Sequence, residues 1–153
     1  MIDTAFVEGS ATDLPEVMAV MTAAFDPAFG EAWTSSQCLA LMTMPGTRLV
    51  LARFDRVLGF ALSRTIVGEC ELMMLGVDPA AQRQGLGKGL LNTVITTAMR
   101  ENATAVFLEV RAANPAIALY SYSGFEKVGV RARYYRGSAG QVFDAETYRR
   151  MLR

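Results

Sequence analysis

The sequence predicts a single α/β (α+β) domain, with a mixed, mostly antiparallel sheet of about seven strands and helices on both faces. Three observations predict it. Strand-like runs and helical stripes alternate in the order strand, two helices, three strands, helix, strand, helix, two strands, a pattern that layers helices on a sheet. Residues 105–110 form a short, continuous apolar run, as expected of a strand covered on both faces. Residues 71–77 lead through Asp78-Pro79 and a glycine-rich turn directly into the most amphipathic helix of the chain. At 153 residues, positions 1–153 are expected to form one domain around one core.

Each element has its own signal. Residues 2–8 read as a first strand. Asp13 is positioned as an N-cap, with Pro15 in the first turn and Glu16 at the capping-box position. Leu14, Val17, Met18, Met21 and Phe25 then mark one helical face. Asp26-Pro27-Ala28-Phe29-Gly30 breaks that helix, and Thr34-Ser35-Ser36-Gln37 opens a second with a capping box. Met44-Pro45-Gly46 ends it. Runs 48–54 and 57–67, joined at Asp55-Arg56, read as a hairpin, and 71–77 continues it antiparallel across Gly68-Glu69. Leu86, Leu90, Leu91, Val94, Ile95, Ala98 and Met99 form a broad helical stripe. A short helix over 117–122 stops at Gly124, placed for a left-handed cap, and strands 125–133 and 142–152 close the domain.

Composition excludes several functions. Fifteen basic residues balance fifteen acidic ones, so no overall field draws nucleic acid or a membrane surface. The basic residues gathered late in the chain, Lys127, Arg131, Arg133, Arg136, Arg149, Arg150 and Arg153, read as a solvated face. Histidine is absent, which removes Ser-His-Asp and Cys-His catalysis and argues against zinc. Cys38 and Cys70 lack metal-ligand spacing and read as small buried hydrophobes. No metal is expected. With no leader pattern and no apolar stretch long enough to span a bilayer, the chain is expected to be cytoplasmic and reduced.

The informative segment is Gln82-Arg83-Gln84-Gly85-Leu86-Gly87-Lys88. A glycine turn at a helix start leaves backbone N–H groups free at the positive end of the helix dipole, which suits a phosphate. The spacing is not that of the dinucleotide fingerprint, and the earlier glycine and the Ser/Thr of a P-loop are missing.

Gln82, Gly85 and Gly87, directly behind a strand ending Val77-Asp78-Pro79, form a Gln-x-x-Gly-x-Gly pattern that resembles the acyl-CoA-binding motif of the Gcn5-related N-acetyltransferases. Phe107-Leu108-Glu109-Val110-Arg111 and Leu119-Tyr120-Ser121-Tyr122-Ser123-Gly124-Phe125 resemble that family's later strand and its Leu-Tyr-x-x-x-Gly-Phe element. More narrowly, Ala32-Trp33-Thr34, the Leu-Glu-Val-Arg of 108–111 and Arg133-Tyr134-Tyr135 resemble the bacterial ribosomal-protein-alanine N-acetyltransferases. The resemblance implies acetyl-CoA as cosubstrate, with Gln82, Arg83, Gln84, Gly85, Leu86, Gly87 and Lys88 around its pyrophosphate. It also implies that Leu75, Gly76 and Val77 offer backbone groups to the pantetheine arm, that the Val77 N–H polarises the thioester carbonyl, and that Asn114 contacts the coenzyme.

Acetyl transfer to an amine needs a proton acceptor, an oxyanion donor and an acid for the departing thiolate. Glu109 is the first candidate for the base. It interrupts an apolar strand where an unpaired carboxylate would be costly, unless it pairs with Arg111, Arg131 or Arg133. The resemblance assigns it the same role. Glu71, at the start of the motif-bearing strand, is the rival, acting through water, and both carboxylates could belong to one relay. The resemblance makes Tyr120 the acid, whereas Tyr122 would face elsewhere on its helix. Trp33, Tyr134 and Tyr135 are candidates for the walls of a peptide groove. The expected partner is a protein N-terminus, possibly that of a small-subunit ribosomal protein, with the chain a monomer or homodimer. A small-molecule amine acceptor and a non-catalytic acetyl-CoA-binding module are the alternatives.

Overall fold

The computed structural model describes residues 5–152. Its strands are β1 (Ala5–Glu8), β2 (Thr47–Arg53), β3 (Val57–Ile66), β4 (Glu69–Val77), β5 (Ala105–Arg111), β6 (Glu126–Arg136) and β7 (Val142–Met151). Its α-helices are α1 (Leu14–Ala24), α2 (Ser35–Met42), α3 (Leu86–Arg100) and α4 (Ile117–Tyr122). The strands form one seven-stranded sheet in the order β1-β2-β3-β4-β5-β7-β6. Every neighbouring pair is antiparallel except β4 and β5, which α3 connects as a parallel crossover. The mixed, mostly antiparallel sheet expected from the sequence is thus present, with helices on both faces.

One face carries α3. Leu90, Leu91, Val94, Ile95 and Ala98 of that helix pack on Cys70, Leu72, Val106, Leu108 and Val110. The other face carries α1 and α2, whose Val17, Val20, Met21, Cys38 and Leu41 pack on Leu49, Leu51, Phe60 and Leu62. Strand alternation therefore sends Glu71 of β4, and Phe107, Glu109 and Arg111 of β5, to the α1/α2 face.

Several boundaries differ from the sequence expectation. Residues 2–4 of the expected first strand lie outside the described residues. Asp13 does not cap α1 through its side chain. It ends a 3₁₀ turn (Ala11–Asp13), accepts the Ser10 N–H at 2.8 Å and pairs with Arg53 at 3.0 Å. Glu16 reaches out of its helix to accept the Val57 N–H at 3.1 Å, which ties α1 to the start of β3. Strand β4 begins at Glu69 because the hairpin turn is Val67-Gly68, both left-handed at φ 45° and 82°, a two-residue connection matching strand twist. Strand β6 runs three residues beyond the expected end, past an irregularity between Arg131 and Tyr135. The capping box of α2 forms as expected, with Thr34 Oγ1 accepting the Gln37 N–H at 3.1 Å and Gln37 Oε1 accepting the Thr34 N–H at 2.8 Å.

Leu91 is fully buried in the α3 core. Leu91→Ala should cost about 2–5 kcal/mol, read as a lower urea midpoint at unchanged slope. A loss under about 1 kcal/mol would show that α3 does not hold the sheet together.

Candidate active site

The site exists because β4 and β5 part. Their parallel register stops at Leu72 opposite Leu108, while β4 continues to Val77 and β5 to Arg111. A bulge lies at the parting: Leu62 faces Met74 and Ser63 faces Leu72, leaving Met73 as the extra residue of β4. Between the diverging ends lies a cleft of about 680 Å³.

At one end of the cleft the chain turns through Gln82 to Lys88. Asp78 anchors the turn, accepting the Ala80 N–H at 2.9 Å and pairing with Arg56 at 3.0 Å. The Ala80 bond first, and Arg56 after it, hold the Asp78 carboxyl below its ordinary range. Arg83 and Gly85 are both left-handed, at φ 65° and 78°, and α3 starts at Leu86. That alternation gathers N–H groups into an anion-binding concavity at a helix N-terminus. Gly85, Leu86, Gly87 and Lys88 line the cleft with Gln82 and Arg83, while Gln84 is not among the lining residues. Gln82 turns back to donate to the Val77 carbonyl at 3.4 Å.

Leu75, Gly76 and Val77 form the β4 wall. The Asp78 N–H bonds to the Leu58 carbonyl at 2.8 Å, so the Val77 N–H, one residue earlier in an alternating strand, points to the opposite edge and into the cleft. Opposite it Tyr120 of α4 is buried, its ring edge-on to Phe125 at 6.0 Å. Burial, with the nearby Glu31 carboxylate, pushes the phenol far above the ordinary tyrosine range, which keeps it a donor.

The other end is built from side chains. Glu109 lines the cleft, and its Oε2 is paired with Arg131 Nε and accepts from Thr147 Oγ1 at 3.5 Å. Of the three arginines weighed in sequence, Arg131 is therefore the partner. Glu71 lies beside the cleft in an adjoining cavity of about 400 Å³ that shares Met73, Leu108 and Glu109 with it. Glu71 is exposed on its strand, yet partial desolvation first and the Glu109 charge second push its carboxyl upward, against the pull of Arg131 and Arg64.

Arg111 is taken by a residue that sequence patterns did not single out. Glu31 pairs with Arg111 Nε at 3.1 Å and accepts from Asn114 Nδ2 at 2.6 Å, with the ion-paired side chains 10% and 9% exposed. The guanidinium also lies over Phe29, 3.8 Å from the ring centroid. Asn114 Oδ1 accepts the Ala116 N–H at 2.8 Å, so this side chain, expected at the coenzyme, also joins the α1–α2 loop to the start of α4. In sequence the helix-breaking run Asp26-Pro27-Ala28-Phe29-Gly30 and Ala32-Trp33-Thr34 mark this loop, but nothing singles out Glu31 between them. Across it, Gly30 and Gly137 allow backbone-to-backbone contact of residues 27–30 with 136–138, where Ser138 N–H donates to the Pro27 carbonyl at 3.0 Å.

The aromatic candidates separate. Tyr135 is partly buried, and burial followed by Glu31 pushes its phenol well up, with Glu109 and Tyr120 also close enough to act. Tyr134 is half exposed and stacks edge-on against it at 5.0 Å. Trp33 packs on the α1/α2 core and does not line the cleft.

The comparisons with known proteins agree with this geometry. Residues 14–125 match the model of the acetyltransferase (GNAT) family. The [ribosomal protein bS18]-alanine N-acetyltransferase of Escherichia coli strain K12 is 37% identical over 92 residues, which is 60% of this chain and 62% of the relative. N-alpha-acetyltransferase RimI of Mycobacterium tuberculosis is 46% identical over 90 residues, 58% of this chain and 53% of that protein. The match thus spans less than two thirds of either curated relative. The crystal structure of the ribosomal-protein-S18-alanine N-acetyltransferase from Escherichia coli superposes with a TM-score of 0.87 at 28% identity, covering 97% of this chain and 94% of that one. Among the described residues no helix is long and apolar enough to cross a membrane.

Breaking the buried pair tests the role of Glu31. Glu31→Gln should cost about 3–5 kcal/mol, because Arg111 is left charged and buried, and the double variant Glu31→Gln/Arg111→Met should recover much of that. Equal stability of the single variant and wild type in chemical denaturation would remove Glu31 from this role.

Proposed function

The chain belongs to the acetyltransferase (GNAT) family, and from that premise we propose that it transfers the acetyl group of acetyl-CoA to a protein N-terminal α-amine. The foremost acceptor is alanine of a small-subunit ribosomal protein. One observation carries the proposal: a cleft has an anion-ready backbone turn at one end and Glu109 at the other, with Val77 and Tyr120 between them and Glu71 in the adjoining cavity. The names of the relatives, two of which act on protein N-termini, support the choice of acceptor.

Bound acetyl-CoA supplies an acetyl group activated as a thioester. The turn from Gln82 to Lys88 would hold its pyrophosphate, and the open β4 edge at Leu75–Val77 its pantetheine arm. Gly85 has open space where a side chain would project, which leaves the turn accessible to the phosphates. An α-ammonium has a pKa near about 8, so at neutral pH its deprotonation is a modest task. Glu71 and Glu109 face the same side of adjacent strands, one pleat apart, and act as one proton-accepting pair. Glu71 makes no ion pair among the described residues, and its raised carboxyl lies closer to the amine it must deprotonate. The Val77 N–H donates to the developing oxyanion, and Tyr120 O–H gives a proton to the departing thiolate.

The raised Glu71 value sets a sign. A base works deprotonated, so kcat/KM should rise with pH through a limb above the ordinary carboxylate range. Glu71→Gln and Glu109→Gln should each lower kcat/KM roughly 10–100-fold, most steeply at low pH, with acetyl-CoA affinity kept. If both variants retain the wild-type pH profile, the base assignment is wrong. In Gly87→Ala the new Cβ would meet only Leu119 at 3.4 Å and Val77 at 3.9 Å, so the fold should stand. Its acetyl-CoA Kd should rise about tenfold in calorimetry, because the backbone can no longer approach as closely. Coenzyme A release with alanine-led peptides, lysine peptides and small amines compares the acceptors, and a preference for small amines would overturn the protein N-terminus.

A further inference from the structure

Two arginines at this end of the site, Arg111 in the cleft and Arg131 in the adjoining cavity, hold carboxylates in opposite ways. Arg111 and Glu31 are both about nine-tenths buried and locked by Asn114 and Phe29. Arg131 pairs with Glu109 while its own side chain is 62% exposed and that of Glu109 only 20%. The guanidinium thus stands on the solvent side of the carboxylate, across the opening by which an amine would reach it. An exposed ion pair is weakly held. In the same position the Arg131 guanidinium lies 5.6 Å from the Tyr134 ring centroid, an aromatic face that remains beside it when the carboxylate is given up.

We propose that Arg131 is a positioning residue for acetyl transfer, whose guanidinium occupies the place beside Glu109 that the acceptor ammonium takes, the two cations exchanging as the acceptor binds. This rests on the reading of Glu71 and Glu109 as the proton-accepting pair. Before exchange, Arg131 supplies the positive charge beside two neighbouring carboxylates. After it, the ammonium stands there in its place, with its proton directed at the pair it will lose that proton to.

The surroundings of Glu71 make Arg131 the deciding cation. Arg64 faces the cavity from β3, Glu69 from β4, Glu109 from β5, Arg131 from β6 and Thr147 from β7, with Leu41 of α2 closing the side. Tyr135 of β6 adds a phenol close to Glu109, which burial keeps neutral. Arg64 is occupied in part by the Pro45 carbonyl, to which its Nε donates at 3.1 Å. Without Arg131, the three carboxylates Glu69, Glu71 and Glu109 would share the cavity with one distracted cation, and Glu71 would hold a proton more tightly.

The full-length chain with Arg131→Met and Arg131→Lys tests this by two measurements that need no turnover. Calorimetry of an alanine-led peptide at pH 8, with coenzyme A present, should show Arg131→Met binding roughly two- to fivefold tighter than wild type, because the competing cation is gone. Arg131→Lys should bind like wild type. Carbon-13 titration of the Glu71 carboxyl should show its midpoint raised by about half a unit to one unit in Arg131→Met, and restored in Arg131→Lys. Peptide binding that is unchanged or weaker in Arg131→Met, or a Glu71 midpoint that does not move, overturns the proposal. If wild type acetylates no amine while tighter binding and a raised midpoint are both seen, the exchange at Glu109 stands and the acetyltransferase reading falls.

Discussion

The parting of β4 from β5 is the constraint on which the site depends. Parallel pairing ends at Leu72 and Leu108, and the bulge at Met73 turns β4 away from its neighbour. A strand edge buried without partners is costly, so a divergence of this kind persists only where something else satisfies the exposed N–H and C=O groups. The rest of the fold holds the two strands apart. On β4, the α3 core and the antiparallel β3 fix its path, and β7 pairs with β5 along its whole length. Neither strand can close the gap without giving up a ladder on its far side. The cleft between them is therefore built into the sheet.

The two ends of the cleft are made of different materials. The donor end is backbone: left-handed residues at Arg83 and Gly85, the first turn of α3 and the open edge of β4. The acceptor end is side chain, assembled from β4, β5, β6 and the α1–α2 loop, and it is acidic. Its carboxylates are graded by burial. Glu31 is spent on structure, tying the loop to Arg111 and Asn114, whereas Glu109 meets a solvent-side cation and Glu71 meets none among the described residues. Buried pairs are strongly destabilising to break, and exposed ones exchange at little cost. That difference separates a carboxylate that shapes the cleft from carboxylates that remain open to chemistry.

This contrast explains what could be read in the sequence. Strands, helices and the donor turn follow from local patterns, because period, capping residues and glycine positions act within a few residues of where they stand. The capping box at Thr34 and the Gly85 turn formed as their spacing implied. Asp13 misled because a second donor nearby, Ser10 N–H, competed for its carboxylate, and a long-range partner, Arg53, claimed the other oxygen. The acceptor end was only partly legible. Glu109 stood out as a charge in an apolar strand, but which of three arginines it meets depends on register across β7 and an irregularity in β6 that no local pattern encodes. Glu31 and Arg111 lie 80 residues apart, so nothing short of the folded sheet joins them. Trp33 looked like a groove wall because it is an aromatic beside a loop, yet the α1/α2 core had a prior claim on its ring.

The same asymmetry bears on how acceptor choice varies on such a fold. A cradle of backbone N–H groups tolerates changes of side chain as long as its glycines remain, so it conserves one donor chemistry across many sequences. The acceptor wall has no such protection. Residues 27–30 and 136–138 meet backbone to backbone through Gly30 and Gly137, and Phe29 stacks edge-on against Phe143 at 5.4 Å, so loop and hairpin move as one body. That body reaches β5 twice, through the β5–β7 ladder and through the buried ion pair of Arg111 with Glu31. A substitution at Glu31 would reach Arg111, Asn114 and the charge beside Tyr120, while the turn from Gln82 to Lys88 is held separately, by Asp78 and the start of α3. The two ends of the cleft are fixed by different contacts, and a change at one need not move the other.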